Sequence, residues 1–428
     1  MAALLRHSHV LCSVAVMAIL GCGGSSPTSQ PAATPQPEAS ASVAEKPTAT
    51  LPGGQGEEVT SGEYYEAALA IEAAAQALDA DALANRFDSK TTLQIALRDI
   101  EMPQAQHQDI VEKFTPQAGD RSMSAQIISE VSQGATYQLL RVRKKRGRHI
   151  ALFRFLNADQ GLNYHDLYLH KNPQGKIVAT DLYVMSTGEL LSQTLRRIAL
   201  PLLTHDNRNL LQKLLKSESD FIKHWPDIQA MQQAIRNSNG KRAIEIYHQL
   251  PQTMQEDKTV LLLRIMAASR VRDEPDYADG LDDFQRLFPG EPMIDLMSVD
   301  VMFTERKFEK MRASIDNIDK FVEGDPFLDV LRAASYREAG DLKTAEQLAL
   351  KAAAQPRLGP QGHWELITIA LAAEDYVKTR KYLLEVEERF ALEFSDLTEV
   401  PDYAGFVKSP EYQTWLRRHD ELTPDGQP

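Results

Sequence analysis

The sequence predicts a chain of several parts: a disordered N-terminal tether, a small α+β domain of helices plus an antiparallel meander, and an all-α helical array. Three observations predict this order. The segment 23–62 is rich in Ser, Pro, Ala and Thr and contains no aromatic residue. Four apolar runs separated by turn residues occupy 137–185. Three similar segments then recur at a constant interval of about 34 residues.

The first residues are typical of a removable export signal. Arg6 precedes an apolar stretch at 10–20, which is too short to span a bilayer and is followed by a small residue and Cys22. We therefore predict a signal peptide over 1–21. The linker 22–61 is predicted to be disordered, because it holds too little apolar surface to offset the entropy of ordering.

The segment Ile19-Leu20-Gly21-Cys22 resembles the lipobox of bacterial lipoproteins. The resemblance implies cleavage before Cys22, acylation of that cysteine and attachment to a membrane through its acyl chains. Gly23 follows, whereas lipoproteins retained at the inner membrane carry Asp there, so the resemblance implies the outer membrane facing the periplasm. The alternative is an ordinary secretory signal cut elsewhere.

Charge and cysteine content exclude several classes of function. The chain has 47 Lys and Arg against 60 Asp and Glu, a net charge of -13, and such an acidic protein is a poor candidate for binding nucleic acid. Both cysteines, Cys12 and Cys22, belong to the signal and its cleavage site, so we expect no disulfide, zinc site or other metal site. Motifs such as G-x-S-x-G and H-E-x-x-H are absent, and we predict no cofactor and no enzymatic activity.

The α+β domain is predicted over 62–204. Helix-forming sequence at 63–84 and 105–114 comes first. Strands follow at 137–143, 149–156, 163–170 and 176–185. We expect an antiparallel meander with helices on one sheet face.

That order, together with ALDADALANRFD at 77–88, resembles the cone fold of nuclear transport factor two and ketosteroid isomerase relatives, and cystatin-like folds share it. In isomerases of this fold a carboxylate base and a tyrosine line a pocket, which implies an alternative function: binding or conversion of a small hydrophobic ligand. Alternation along one strand, with two residues of the next, puts six candidates on one face: Tyr164, Asp166, Tyr168, His170, Asp181 and Tyr183. The favoured interpretation is that they form cross-strand polar pairs on a solvated or domain-contacting face.

The helical array is predicted over 205–395 from the segments KFEKMRASIDNI, DLKTAEQLALKA and DYVKTRKYLLEV. They align at Phe308, Leu342 and Tyr376, which are equally spaced at about 34 residues, a period typical of two-helix repeats. The unit at 326–355 resembles the tetratricopeptide repeat at seven signature positions: Ala333, Tyr336, Gly340, Asp341, Ala345, Ala349 and Ala352. We expect four to five helix pairs, with the register of the upstream units left open because their spacing differs from this period.

A capping helix is predicted within the C-terminal region 396–428. Ser409 would be its N-cap and Pro410 its first residue. An apolar stripe on this helix would cover the last repeat: Tyr412, Trp415 and Leu416.

The resemblance to tetratricopeptide repeats implies a concave groove that receives a protein or peptide segment. Five residues would line it: Asp300, Phe303, Arg337, Glu338 and Ile369. The leading hypothesis is therefore a membrane-anchored periplasmic interaction scaffold, and a purely structural subunit of a larger envelope complex is the other possibility. The basic run RVRKKRGRH at 141–149 is a candidate contact for an anionic surface, although a solvated hairpin that discourages edge pairing is the favoured explanation.

Overall fold

A computed structural model describes seven stretches of the chain: 56–100, 102–115, 123–157, 161–204, 216–271, 273–394 and 396–422. Within them an antiparallel sheet with its helices precedes an all-helical region, as the sequence predicts. The predicted signal peptide, Cys22 and most of the predicted linker lie outside the described residues.

The sheet is an antiparallel meander in which every strand pairs with the next. Its strands are β1 (Glu57–Val59), β2 (Thr136–Lys145), β3 (Arg148–Leu156), β4 (Leu162–Lys171), β5 (Ile177–Val184) and β6 (Glu189–Leu190). The four long strands coincide with the four predicted runs. Strand β1 corrects the predicted disorder at 57–59, because backbone pairing with β2 orders this polar segment at the sheet edge.

Six helices belong to the α+β domain: α1 (Glu63–Gln76), α2 (Ala80–Ala84), α3 (Ser89–Leu97), α4 (Gln104–Phe114), α5 (Met123–Ser132) and α6 (Leu191–Thr204). The helix-forming sequence at 63–84 folds as two helices, α1 and α2. Leu78 takes a left-handed conformation with φ 55°, and the Asp79 side chain accepts a hydrogen bond from the Ala82 N–H at 2.9 Å, which starts a new helix.

Both faces of the sheet are buried. One face, which we call the inner face, packs against α1, α2 and α5 around residues such as Ile71, Ile127 and Phe153. The opposite, outer face shares a second apolar cluster with the helical array, which includes Leu152, Leu162 and residues of the central repeats. The meander is therefore a layer between its own helices and the array.

Beyond it lie fourteen further helices among the described residues: α7 (Lys216–Lys223), α8 (Trp225–Arg236), α9 (Gly240–Gln249), α10 (Gln252–Gln255), α11 (Lys258–Val271), α12 (Glu274–Leu287), α13 (Pro292–Thr304), α14 (Phe308–Val322), α15 (Pro326–Glu338), α16 (Leu342–Ala353), α17 (Gln361–Ala372), α18 (Tyr376–Phe390), α19 (Ala404–Val407) and α20 (Pro410–Leu422). Five consecutive pairs form the array: α8 with α9, α11 with α12, α13 with α14, α15 with α16, and α17 with α18.

The second helices of the five pairs follow one another at the constant interval that the sequence shows downstream. They begin at Gly240, Glu274, Phe308, Leu342 and Tyr376. In four of the five pairs, the side chain of the residue just before the second helix accepts a hydrogen bond from the backbone N–H three residues later in the chain. These N-cap residues are Asn239, Asp273, Asp341 and Asp375. The two upstream repeats, whose register the sequence left open, therefore have the same 34-residue register as the downstream repeats. Alignment missed it because Gly240 and Glu274 occupy the position held downstream by Phe, Leu and Tyr.

The predicted C-terminal cap is present as α20. Pro410 opens the helix, and the Tyr412 N–H donates to the Ser409 hydroxyl at 3.4 Å. Tyr412 and Trp415 are buried in the cluster formed by the last repeats, so α20 covers the apolar end of the array.

Candidate functional site

The outer face of the sheet meets the array at the turn 323–325, which joins α14 to α15, and we call this contact the seam. The Arg143 Nη2 atom donates to both carboxylate oxygens of Asp166, at 3.0 and 2.7 Å, and its Nη1 atom lies 3.2 Å from Glu323 Oε1. The side chains of Arg143 and Asp166 are each only 1% exposed. Arg141 also donates to the backbone carbonyls of Glu323 and Gly324.

Asp325 is the second centre of the seam. Its carboxylate accepts hydrogen bonds from Arg154 Nη1 at 2.6 Å and from the Tyr164 hydroxyl at 2.8 Å. The same carboxylate accepts the Phe327 N–H at 3.0 Å and so caps α15. One buried side chain therefore joins two strands to the start of a repeat helix.

Further contacts extend the seam along the array. Lys258, at the start of α11, donates to the Gly188 carbonyl at 2.6 Å and pairs with Glu291, just before α13, at 2.9 Å. Arg357, before α17, pairs with Glu72 of α1 at 2.6 Å. The α+β domain thus contacts the N-terminal ends of α11 and α15 and the turn that precedes α17.

The six predicted polar-face residues are divided among different environments. Tyr164 and Asp166 belong to the seam, and Tyr168 is half-buried opposite Asp181 in the strand register. Asp181 accepts the Ser192 N–H at 3.1 Å and the Ser192 hydroxyl at 2.6 Å, at the beginning of α6.

The last two members of the set lie apart from these. Tyr183 is buried near Phe321, where burial raises the pKa of its hydroxyl. His170 is exposed. Asp166 is held in a buried ion pair, so the geometry offers it no role as an accessible base.

The inner face carries a polar cluster that the sequence reasoning missed. His165 Nδ1 lies 3.3 Å from the Tyr137 hydroxyl, and its Nε2 atom lies 3.3 Å from the Asn163 amide nitrogen. Burial lowers the pKa of His165 to about 4, so its ring is neutral at pH 7. The signal was present in NYHDLYLH, since strand alternation sends His165 to the face opposite Tyr164.

Two of the five predicted groove residues do not line an open surface. Ile369 is 4% exposed and packs in the core of the last repeats, which corrects its assignment to the groove. The Arg337 side chain is 7% exposed and its Nε atom donates to Glu365 Oε1 at 2.8 Å, so it ties α15 to α17.

The other three predicted groove residues remain partly exposed. Phe303 contacts the Phe308 ring edge to face, with centroids 6.1 Å apart, and Glu338 lies 3.7 Å from Arg306. Asp300 is half-buried, and among the described residues its carboxylate has neither a hydrogen-bond donor nor a cation as partner. Burial raises the pKa of Asp300 to about 7.

The basic run 141–149 is split by the fold. Arg141 and Arg143 point into the seam, which corrects their assignment to a surface patch. Lys144, Arg146 and Arg148 are exposed at the β2–β3 turn.

The chain matches no family model, and comparisons with curated proteins and with solved structures find no significant similarity. Among the described residues, no helix combines the length and the apolar character needed to cross a membrane. The same residues include no group of three or more His, Cys, Asp or Glu side chains placed to hold a metal ion.

Proposed function

We propose that this chain is a lipid-anchored protein of the bacterial cell envelope, on the periplasmic face of the outer membrane, whose tetratricopeptide-like array binds a protein or peptide partner. The observation that carries the proposal is the constant interval between five second helices, four of which begin with a side-chain cap. Helix pairs stacked at a fixed period create extended surfaces that are used for binding.

The seam limits where a partner binds. Because the α+β domain contacts the array at the N-terminal ends of α11 and α15 and before α17, we place the partner at the C-terminal halves of first helices, around Asp300, Phe303 and Glu338. A half-buried carboxylate without a cation favours a partner that presents Lys or Arg, because pairing offsets the desolvation of the charged form. Phe303 supplies an adjacent aromatic contact.

Affinity capture from native membranes with the full lipidated chain tests the binding surface. The test variant combines Asp300→Asn, Phe303→Ala and Glu338→Gln. The control carries changes of the same kinds at exposed second-helix positions, namely Asp282→Asn, Val377→Ala and Glu309→Gln. We expect the test variant to lose specific proteins that both wild type and control recover, and equal recovery by all three would refute the assigned surface.

The lipid anchor is tested separately by mass spectrometry of the mature N-terminus. The proposal requires a diacylglyceryl-modified Cys22 as the first residue, and Cys22→Ser should release the protein from membranes. An unmodified N-terminus at another position would refute the anchor while leaving the partner surface untouched.

A further inference from the structure

Two turns of the meander lie at the same end of the sheet. The β2–β3 turn follows Lys145, and the β4–β5 turn follows Lys171. Because the strands are antiparallel and His149 pairs with Leu169, the start of β3 lies beside the end of β4. We call this end the basic pole.

The basic pole is positive in an acidic protein. Its exposed cationic residues are Lys144, Arg146, Arg148, Lys171 and Lys176. Its exposed acidic residues, within the described part of the chain, are Glu57, Glu58, Glu63 and Glu66. Glu63 pairs with Lys171 at 2.6 Å, and Glu57 lies opposite Lys144 in the strand register. Five cationic against four acidic residues among those described leave a small local excess of positive charge, while the whole chain carries -13.

The polypeptide enters the folded part at this same pole. Gly56, the first described residue, packs against the end of β2, where an added Cβ would lie 3.1 Å from the Lys144 carbonyl oxygen. The next residue, Glu57, already pairs with Lys144. The segment that precedes Gly56 therefore joins the folded part at the basic pole, so any membrane attachment within it tethers the folded part by this end.

Two contacts also tie the pole to α1. Tyr64, in the first turn of α1, stacks on His149 with ring centroids 3.6 Å apart. This contact and the Lys171 to Glu63 pair fasten α1 to the two strands that carry the turns. The backbone that carries the exposed cations is thus held by side-chain contacts, so little backbone entropy is lost when the pole approaches a charged plane.

We propose that the basic pole binds the anionic lipid headgroups of the membrane to which the chain is anchored. This orients the seam and the array away from the bilayer. A Lys or Arg near an anionic surface strengthens binding by about fivefold. The attraction acts only within about 10 Å at ordinary salt, so the pole must face the bilayer, and a tether that enters at the same end favours that orientation.

Vesicle flotation tests the proposal with the mature chain, residues 22–428 carrying Cys22→Ser, which contains every described residue and no lipid. The probes are vesicles of phosphatidylcholine mixed with phosphatidylglycerol, compared with pure phosphatidylcholine, at low and high salt. We expect binding to the anionic vesicles that weakens steeply with salt. Equal binding to both vesicle types, or none to the anionic ones, would overturn the proposal.

A charge-matched pair of variants locates the contact. Lys144→Gln, Arg146→Gln and Arg148→Gln together should weaken anionic-vesicle binding by at least tenfold, after allowance for the nearby glutamates. The control removes the same charge at exposed second-helix positions: Lys310→Gln, Lys320→Gln and Lys343→Gln. A control that loses as much as the pole variant would show a general charge effect and overturn the assignment.

Lys176→Gln, in the other turn, provides an independent check with a single exposed substitution. It should weaken binding by about fivefold, while circular dichroism shows an unchanged melting temperature. Unaltered binding in this variant would exclude the β4–β5 turn from the contact. The lipid-free format makes these outcomes independent of the partner surface on the array and of the acylation of Cys22.

Discussion

Asp325→Ala is the most direct test of the seam. The Asp325 side chain is 0% exposed and accepts hydrogen bonds from Arg154, Tyr164 and the Phe327 N–H. The substitution leaves the Arg154 guanidinium buried without its carboxylate, leaves a buried hydroxyl without its acceptor and removes the N-cap of α15.

Two of those three contacts, the ion pair and the N-cap, set the size of the expected loss. Breaking a buried ion pair by removing one partner costs about 3 to 5 kcal/mol, and loss of an N-cap costs about 1 kcal/mol. Arg154 retains its hydrogen bond to Gln138, which limits the cost of the broken ion pair. Adding the ion-pair and N-cap costs, we expect the free energy of unfolding to fall by about 4 to 6 kcal/mol.

Urea denaturation followed by circular dichroism measures the loss, and the repeat supplies a matched control. Asp341 caps α16 in the same way, accepting the Thr344 N–H at 3.0 Å, but it is exposed and makes no seam contact. Asp341→Ala should therefore cost only about 1 kcal/mol. Asp325→Asn, which keeps shape and cap but removes the charge, should fall between the two. If Asp325→Ala and Asp341→Ala differ by less than about 1 kcal/mol, which is below the least cost of breaking a buried ion pair, the buried network does not hold the two parts together.

Three further outcomes are expected. The pKa of His165 is about 4 in the folded chain and about 6.5 in the unfolded chain, so the unfolded state takes up a proton first as the pH falls. The free energy of unfolding therefore falls by up to about 3 kcal/mol between pH 6.5 and 4. In urea denaturation at a series of pH values, His165→Gln should flatten this part of the profile. The pKa of Asp300 is raised to about 7, so the free energy of unfolding falls as the pH rises from about 4 to 7. Asp300→Asn should raise the free energy of unfolding at pH 8 by about 2 kcal/mol, which is half of the loss expected for a fully buried carboxylate with this pKa. At pH 4 the substitution should leave stability unchanged. Gly362→Ala should lower the free energy of unfolding by about 2 to 3 kcal/mol, because its Cβ would lie 2.7 Å from Ala353 Cα where α16 meets α17.

Each of these outcomes has its own control. His170→Gln changes an exposed histidine of the same strand and should leave the pH profile as it is. A stability gain for Asp300→Asn at pH 4 equal to that at pH 8 would point to packing and away from charge. Gly340→Ala meets no atom within 4 Å and strains only a left-handed backbone with φ 89°, so it should cost about 1 kcal/mol. An equal cost for Gly362→Ala would refute the close helix contact.

Local patterns predicted much of the fold. The four long strands follow from apolar runs bounded by turn residues, and the helix pairs follow from the interval between Phe308, Leu342 and Tyr376. Ser409 and the apolar stripe behind it predicted the C-terminal cap. Each of these features depends on side chains a few residues apart, or on a sequence repeat that occurs several times. They can therefore be predicted without knowledge of contacts between distant parts of the chain.

The candidate site was less predictable because its residues acquire their roles from distant partners. A β-bulge between Leu139 and Arg141 shifts the alternation of β2, so that Leu139 and Val142 enter the inner face while Arg141 and Arg143 point into the seam. In the sequence alone, a run of cations is typical of a solvated turn. Arg143 of this run is buried in a contact with Glu323, which lies 180 residues away in the chain.

What the sequence by itself determined is therefore periodic: strand alternation, the interval between repeats and the caps that begin helices. What only the tertiary structure decided is which faces meet. Tyr164 and Asp166 have the same alternation whether their face contacts water or another part of the chain, and Ile369 belongs to a groove or to a core depending on how neighbouring repeats pack. Burial and charge neutralisation depend on groups brought together from distant parts of the chain, so a local sequence pattern does not predict them.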